Sequence, residues 1–167
     1  GFSLFGFLSS IAYVHFMRKI ILLGTHTIML AIGFALGVYF LPILTAPSAP
    51  DKATLEASLE GTMFSGEFTR ELKGSDFLHW GQGMVSITPS QVVHIGDLAP
   101  GPDYMLYFVP EFVEDEASFE VVKDSSLNIG SIKTFDGFIV DLPTNVDLAS
   151  YTTVLVWCEA FGEFITA

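Results

Sequence analysis

Few side chains in this 167-residue chain have types and spacings that could support chemistry. The single cysteine, Cys158, excludes an internal disulfide and any metal or iron–sulfur site built from several cysteines. His79 and His94 lie in stretches with the composition of strands. Zinc or copper takes three or four ligands. His79, His94 and Cys158 together give at most three, and they are far apart in the sequence, so they are weak evidence for a metal site. A c-type haem would need a CxxCH sequence, which is absent. We therefore expect no metal site and no cofactor in the part of the chain that contains His79, His94 and Cys158.

Signals of catalysis are weak throughout the sequence. The chain has no GxSxG, no P-loop and no GxGxxG after a strand. Carboxylates are abundant, but no spacing singles out a general acid–base pair. We therefore predict that the protein is not an enzyme.

The apolar stretch Ile20–Leu44 contains no Lys, Arg, Asp or Glu, and it determines where the remaining segments of the chain lie. A bilayer core needs about 20 apolar residues as helix, so the stretch predicts a transmembrane helix. It is too long for a signal-peptide core of about 7–15 residues, so an uncleaved anchor is expected. Arg18 and Lys19 precede it, which predicts a cytoplasmic amino end and an extracytoplasmic remainder, periplasmic in a bacterium.

The predicted helix carries one stripe that could dock against another helix. Gly33 and Gly37 form a GxxxG pattern, and His26 and Leu30 fall on nearly the same face. The alternative is a lipid-facing surface. His26 is ionisable inside a span, and its imidazole could make an interhelical hydrogen bond or headgroup contact, ligate haem or (bacterio)chlorophyll, or relay protons.

The sequence predicts four segments. Residues 1–19 are apolar and predict an interfacial segment with a bend near Arg18, and residues 20–44 form the span. Residues 45–60 make a Pro/Ala linker with a short helix capped by Asp51, and Pro42, Pro47 and Pro50 are predicted to end the long helix. Residues 61–167 form the fourth segment.

From Gly61 onward, short runs rich in β-branched and aromatic residues alternate with Gly, Pro, Asp and Ser. This pattern predicts a mainly β fold, a single sandwich or barrel-like domain of about eight antiparallel strands. The predicted strands are Thr62–Thr69, Gly83–Thr88, Gln91–Ile95, Tyr104–Val109, Phe119–Val122, Asn128–Ile132, Gly137–Asp141, and a long or bulged pair from Thr153 to Ile165. Because Cys158 follows a strand-like run, we expect its thiol to be buried or half-buried.

The part beyond the helix is strongly acidic. From Asp51 onward it holds all 19 acidic residues and five of the seven basic ones, a net charge of −14. Such a domain repels nucleic acid and favours a basic partner. Its densest acidic segment predicts either a solvated hairpin tip or a docking patch for a cationic partner, and comprises Glu111, Glu114, Asp115 and Glu116.

Residues 61–167 resemble the DM-thirteen domain family, a module proposed to work in electron transfer. The resemblance is carried in order by Phe64–Glu67, His79–Ile87, Leu98–Phe108, Ile129–Gly137, Leu142–Pro143 and Val154–Phe161. It implies a compact β domain with one recurrent cysteine that acts as a redox thiol or holds a prosthetic group such as haem. In this sequence the resemblance implies that role for Cys158 and, with a weaker match, for His79. An acidic domain without a second cysteine does not favour a reactive thiolate, so a structural Cys158 is the other interpretation.

Together these features predict a non-enzymatic accessory subunit of a membrane electron-transfer assembly, either a photosynthetic reaction centre with its antenna or a respiratory complex. It would lie in a bacterial inner or photosynthetic intracytoplasmic membrane. Its expected partners are integral-membrane subunits, lipids and a basic soluble electron carrier. One alternative is a membrane-tethered redox module using Cys158 or a bound haem, and another is a free-standing adhesion or sensor domain.

Overall fold

A single long helix, α1, precedes the rest of the chain in the computed structural model, which describes residues 4–167 and the side chains from residue 13 onward. α1 spans Leu4–Thr45, and its 42 residues correspond to about 63 Å of helix. It does not break near Arg18, where the sequence analysis predicted a bend, because neither Gly nor Pro interrupts it there. The first three residues of the predicted interfacial segment lie outside the described residues.

Pro42 lies within α1 and does not end it. A proline removes one N–H, here the donor to the carbonyl four residues earlier. The helix nevertheless continues to Thr45, and the N–H of Ala46 donates to the carbonyl of Pro42 at 2.9 Å. The helix thus ends at Thr45, one residue beyond the predicted span and two residues before Pro47, so Pro42 has no part in ending it.

Within α1 from Tyr13 to Thr45, an 18-residue window has a mean hydropathy of 2.2, and none of that window is buried by other described residues. α1 is the one described helix long and apolar enough to cross a membrane, judged by length and composition. The chain divides into two units, one ending at Leu41 and the other running from Pro42 to Ala167.

The second unit begins with a short helix, α2, over Lys52–Ala57. The N–H of Thr54 donates to Oδ1 of Asp51 at 2.8 Å, so the predicted cap at Asp51 is confirmed. Leu55 is the buried residue of α2.

Among residues 4–167, eight antiparallel strands form two four-stranded sheets, which confirms the predicted mainly β sandwich. The first sheet has the order β1-β2-β3-β6, with β1 Phe64–Phe68, β2 Gly81–Ile87, β3 Gln91–Leu98 and β6 Phe138–Asp141. The second sheet has the order β5-β4-β7-β8, with β4 Tyr104–Val109, β5 Leu127–Ile132, β7 Thr153–Cys158 and β8 Glu163–Thr166. The predicted bulged pair at the end of the chain is β7 and β8, whose register shifts between Val156 and Trp157.

Alternation along the strands of the second sheet separates two apolar clusters. Leu106 and Phe108 of β4, with Val156 and Cys158 of β7, lie in the main core, which also contains Phe68, Val92 and Phe138 of the first sheet. The neighbouring residues on the same strands point to the other face, because side chains alternate along a strand. That second cluster contains Tyr107, Val109, Leu155, Trp157, Phe164 and, from outside the sheet, Val113, Phe119 and Val122.

The predicted strand Phe119–Val122 is wrong, because these residues belong to a helix, α3, over Glu116–Val122. Asp115 caps α3 and forms a capping box with Ser118. Phe119 and Val122, three residues apart, share the buried face of α3. The β-like composition of four residues is outweighed here by a strong helix start signal and by burial at helical spacing.

Candidate functional site

Cys158, the last residue of β7, is buried with 3% of its surface exposed. Its thiol donates to the carbonyl oxygen of Pro102, with Sγ and O 3.1 Å apart. Burial raises the pKa of the Cys158 thiol, and the nearby carboxylates of Asp103 and Glu163 act in the same direction. The predicted burial is confirmed, and the arrangement favours the neutral thiol over the thiolate that redox exchange requires.

His79, the second candidate redox residue, lies in the loop before β2 and not in a strand as its sequence context suggested. Asp76 holds it: the His79 backbone N–H donates to Oδ1 at 2.7 Å, and its Nδ1 lies 3.2 Å from Oδ2. An aspartate turn of this kind competes with strand pairing, which explains the error. In the described part of the chain, no group of three or more His, Cys, Asp or Glu side chains could hold a metal ion.

His94 of β3 is fully buried between the rings of Phe68 and Phe138, at centroid distances of 5.2 and 5.0 Å. Its Nε2 lies 3.0 Å from the carbonyl oxygen of Gln82. A carbonyl only accepts, so Nε2 carries the proton and Nδ1 keeps its lone pair, buried without a partner. Burial lowers the pKa of His94, so the imidazole is held neutral.

A polar network that the sequence analysis missed lies beside Trp157, on the α3 side of the second sheet. Tyr107 donates its hydroxyl to Oε1 of Glu159 and accepts from Nδ2 of Asn128 at 3.1 Å. Nζ of Lys123 donates to Oε2 of Glu159 at 3.0 Å and lies 4.8 Å from the centre of the Trp157 ring. The network joins residues up to 52 positions apart, so no local spacing could have revealed it.

Burial and the Glu159 carboxylate raise the pKa of Tyr107 to about 12. Burial alone would raise the pKa of Glu159, but the hydrogen bonds from Tyr107 and Lys123 outweigh it and lower that pKa. The network is therefore a fixed array, with an ionised carboxylate between a neutral phenol and an ammonium group, and it packs against the strand that ends in Cys158.

The sequence profile of the Electron transfer DM13 family matches residues 71–167, more than half of the chain. The chain belongs to the DM13 family. This confirms the resemblance identified from the sequence, although β1 precedes the matched region, which takes in Cys158 and the network around Glu159. The DM13 family is described as an electron-transfer domain, which supports a role related to electron transfer. No curated protein and no solved structure matches the chain.

The acidic segment of the DM13 domain is only partly a surface patch. Asp115 caps α3 and pairs with Nζ of Lys73, and its side chain is 11% exposed. Hydrogen bonds from Lys73 and Ser118 hold the pKa of Asp115 well below its usual range. Asp115 is thus engaged within the fold and does not belong in the predicted docking patch. Glu111 and Glu114 are exposed and Glu116 is half-buried, and their docking role stays a prediction.

The docking stripe of α1 is exposed along its length. Leu30 is 75% exposed, and a Cβ atom added to Gly33 or Gly37 would meet nothing within 4 Å. Nδ1 of His26 lies 2.6 Å from the carbonyl oxygen of Leu22, so Nδ1 carries the proton and Nε2 keeps a lone pair. His26 thus has a nitrogen that could bind a partner or a metal centre, and the docking role of the stripe stays a prediction.

Proposed function

We propose that this DM13 protein is a non-enzymatic accessory subunit of a membrane electron-transfer assembly. α1 would dock among integral-membrane subunits, and the acidic DM13 domain would stand on the periplasmic face of a bacterial inner or photosynthetic intracytoplasmic membrane. Membership of the DM13 family supports the link to electron transfer. Arg18 and Lys19 support the orientation. Suitable hosts are a photosynthetic reaction centre with its antenna or a respiratory complex.

The observation that carries this proposal is the exposed apolar surface of α1. Its side chains from Tyr13 to Thr45 are not buried by other described residues, so lipid or other helices must cover them. Open space beside Gly33 and Gly37 lets a second helix backbone approach closely. A helix that only anchored the domain would need no such small-residue face.

Substituting the two stripe glycines tests the docking face. Gly33→Leu with Gly37→Leu should release the protein from its assembly in mild detergent, because leucine side chains hold the two helices apart. Gly24→Leu is the matched control: it has the same open surroundings and lies nine residues from Gly33, half a turn around the helix at 3.6 residues per turn.

Circular dichroism should show the DM13 domain folded in both variants, and only the double variant should lose its partners. Retention of the double variant at wild-type stoichiometry would count against the docking face. Equal loss of Gly24→Leu would also count against it, because the effect would then not be confined to the stripe.

His26 is the residue we propose for any cofactor contact in this assembly. Its free Nε2 suits haem or (bacterio)chlorophyll as an axial ligand, and we expect no cofactor in the DM13 domain. The absorption spectrum of the purified assembly should change with His26→Leu if His26 is a ligand. An unchanged spectrum would restrict His26 to packing within the membrane.

The predicted docking patch, with its exposed residues Glu111 and Glu114, would recruit a basic soluble electron carrier. Glu111→Gln with Glu114→Gln should slow association with a cationic carrier such as a basic cytochrome at low salt, because steering depends on local charge. Glu60→Gln with Glu71→Gln removes the same charge from other exposed positions and is the control. Equal slowing by both pairs would show that net charge alone attracts the carrier.

The alternative, a redox module that uses Cys158, has weaker support. The thiol is buried, donates to Pro102 and has a raised pKa. A thiol that reacts as fast in the native protein as in denaturant, or a chromophore in the DM13 domain, would favour the alternative.

A further inference from the structure

The polar network beside Trp157 holds the phenol of Tyr107 against a base. Tyr107 is 7% exposed, and its hydroxyl donates to Oε1 of Glu159 while it accepts from Nδ2 of Asn128 at 3.1 Å. The phenolic proton therefore points at an ionised carboxylate that is already in hydrogen-bond contact. Such a carboxylate can take up that proton without any rearrangement of the side chains.

This arrangement lets Tyr107 lose an electron without placing a charge on its buried ring. If the phenolic proton moves to Glu159 as the electron leaves, the products are a neutral tyrosyl radical and a neutral carboxylic acid. The positive charge that remains is the ammonium group of Lys123, which lies 3.0 Å from Oε2 of Glu159 on a side chain that is 27% exposed. Because an unpaired charge in a protein interior is costly, oxidation with proton transfer is favoured over oxidation alone.

Trp157, the neighbouring oxidisable ring, is in the opposite situation. It is fully buried, and Nζ of Lys123 lies 4.8 Å from the centre of its ring. Loss of an electron from Trp157 would leave a cationic indole beside an ammonium group, and these like charges repel. Phe119 contacts both rings, with centroid distances of 5.3 Å to Tyr107 and 4.9 Å to Trp157. Of the two oxidisable rings in this cluster, Tyr107 is therefore the one that can hold an oxidising equivalent.

We propose that Tyr107 is a one-electron redox site of the DM13 domain, which gives its electron to a strongly oxidising tetrapyrrole of a partner protein. The phenolic O–H bond breaks as the electron leaves, the proton passes to Oε1 of Glu159, and the oxidised tetrapyrrole is reduced by one electron. One electron from a reduced haem protein then restores the phenol, and the proton returns from Glu159. The class of the partner's cofactor rests on the proposed function, whereas the redox site belongs to the DM13 domain and does not depend on the docking of α1.

The rim of the network is open to an approaching partner. The side chain of Glu159 is 29% exposed, that of Lys123 is 27% exposed, and Asn128 is exposed. The chain from Asp51 onward has a net charge of −14, which favours an oxidant carried on a basic surface. Tyr107 itself is buried behind this rim, so its radical is shielded from small molecules in solution.

Flash oxidation of the full chain in nanodiscs tests the proposal with a defined probe, photogenerated tris(bipyridine)ruthenium(III). Transient absorbance and electron paramagnetic resonance should show a neutral tyrosyl radical in the wild type. Tyr107→Phe should remove most of this signal. Tyr151→Phe is the matched control and should leave the signal unchanged, because Tyr151 packs on the other side of the second sheet, beside Phe108 of the main core.

Replacement of the proton acceptor separates a redox role from a structural one. Glu159→Gln keeps the shape of the side chain and an oxygen that accepts the hydrogen bond, but the amide does not take up the proton. It should slow formation of the radical by about 100-fold or more, the usual contribution of a positioned proton acceptor. Wild-type oxidation should also be slower in heavy water, and Glu159→Gln should abolish that difference. Asn128→Ala is the control, because it removes the other hydrogen bond of the phenol and leaves the proton acceptor in place.

The proposal is overturned if Tyr107→Phe retains the tyrosyl signal of the wild type, because another residue then holds the oxidising equivalent. Equal rates of radical formation in Glu159→Gln and the wild type, or in heavy and ordinary water, would also overturn it. If Tyr107→Phe fails to fold, Glu159→Gln and the heavy-water comparison decide. The ruthenium probe replaces the partner, so failure here is distinct from a failure of the proposed membrane assembly.

Discussion

Replacing Cys158 separates its structural role from a redox role. The side chain is 3% exposed between the two sheets, and its thiol donates to Pro102 at 3.1 Å. Cys158→Ser keeps a donor there but buries a more polar atom, which should cost about 1–2 kcal/mol of unfolding free energy. Cys158→Ala leaves the Pro102 carbonyl unpaired and opens a small cavity, so its cost should be about 1–3 kcal/mol.

Urea unfolding of the full chain in mild detergent, followed by tryptophan fluorescence, measures these losses. The electron-transfer rate of the assembly should be unchanged in both variants. The wild-type thiol should react slowly with a thiol reagent in the native state and rapidly in denaturant, since burial raises its pKa. A collapse of the electron-transfer rate in a well-folded Cys158→Ser variant would refute the structural interpretation.

Three further predictions concern the fold around this site. Burial lowers the pKa of His94 below its ordinary value of 6.5, so as the pH falls the unfolded chain takes up this proton before the folded protein does. The urea midpoint should therefore fall as pH drops below about 6.5. His94→Phe should flatten that dependence. Gly83 has φ of +111°, and a Cβ atom added there would clash with the backbone of β3. Gly83→Ala should therefore lower the free energy of unfolding by about 1–3 kcal/mol or more in thermal or urea unfolding. Gly66→Ala is the control and should be close to neutral, because a Cβ atom there makes only an ordinary contact with Val85 at 3.7 Å. Tyr107→Phe removes the hydrogen bonds of the hydroxyl to Glu159 and from Asn128 and should cost about 1–3 kcal/mol in urea unfolding. Absorbance titration of the wild type should show this phenol ionising only near pH 12; ionisation near pH 10 would contradict the burial of the hydroxyl beside Glu159.

Local patterns predicted the features that depend on local chemistry. A stretch without charged residues predicted the long helix, and alternation with Gly and Pro punctuation predicted the β sandwich. The strand-like run before Cys158 predicted its burial correctly. These features follow from hydrophobic burial along short segments, which the sequence displays directly.

The errors arose where a side chain or a distant partner decides the conformation. The capping box at Asp115 turned a strand-like stretch into α3, and the aspartate turn at Asp76 kept His79 out of a strand. Burial of Asp115 against Lys73 depends on a contact between residues 42 positions apart. The bonds of Glu159 to Tyr107 and Lys123 exist only because β4, β7 and α3 meet in the fold, so spacing along the sequence carries no trace of them.

The most direct test of the central claim is gentle isolation of the protein from its native membrane, with identification of the stoichiometric partners. We expect a membrane-bound chain that still carries α1 and co-purifies with subunits of an electron-transfer complex, and we expect Gly33→Leu with Gly37→Leu to break that association. A mature protein without α1 in the aqueous fraction, or one that remains alone in the membrane, would contradict the account.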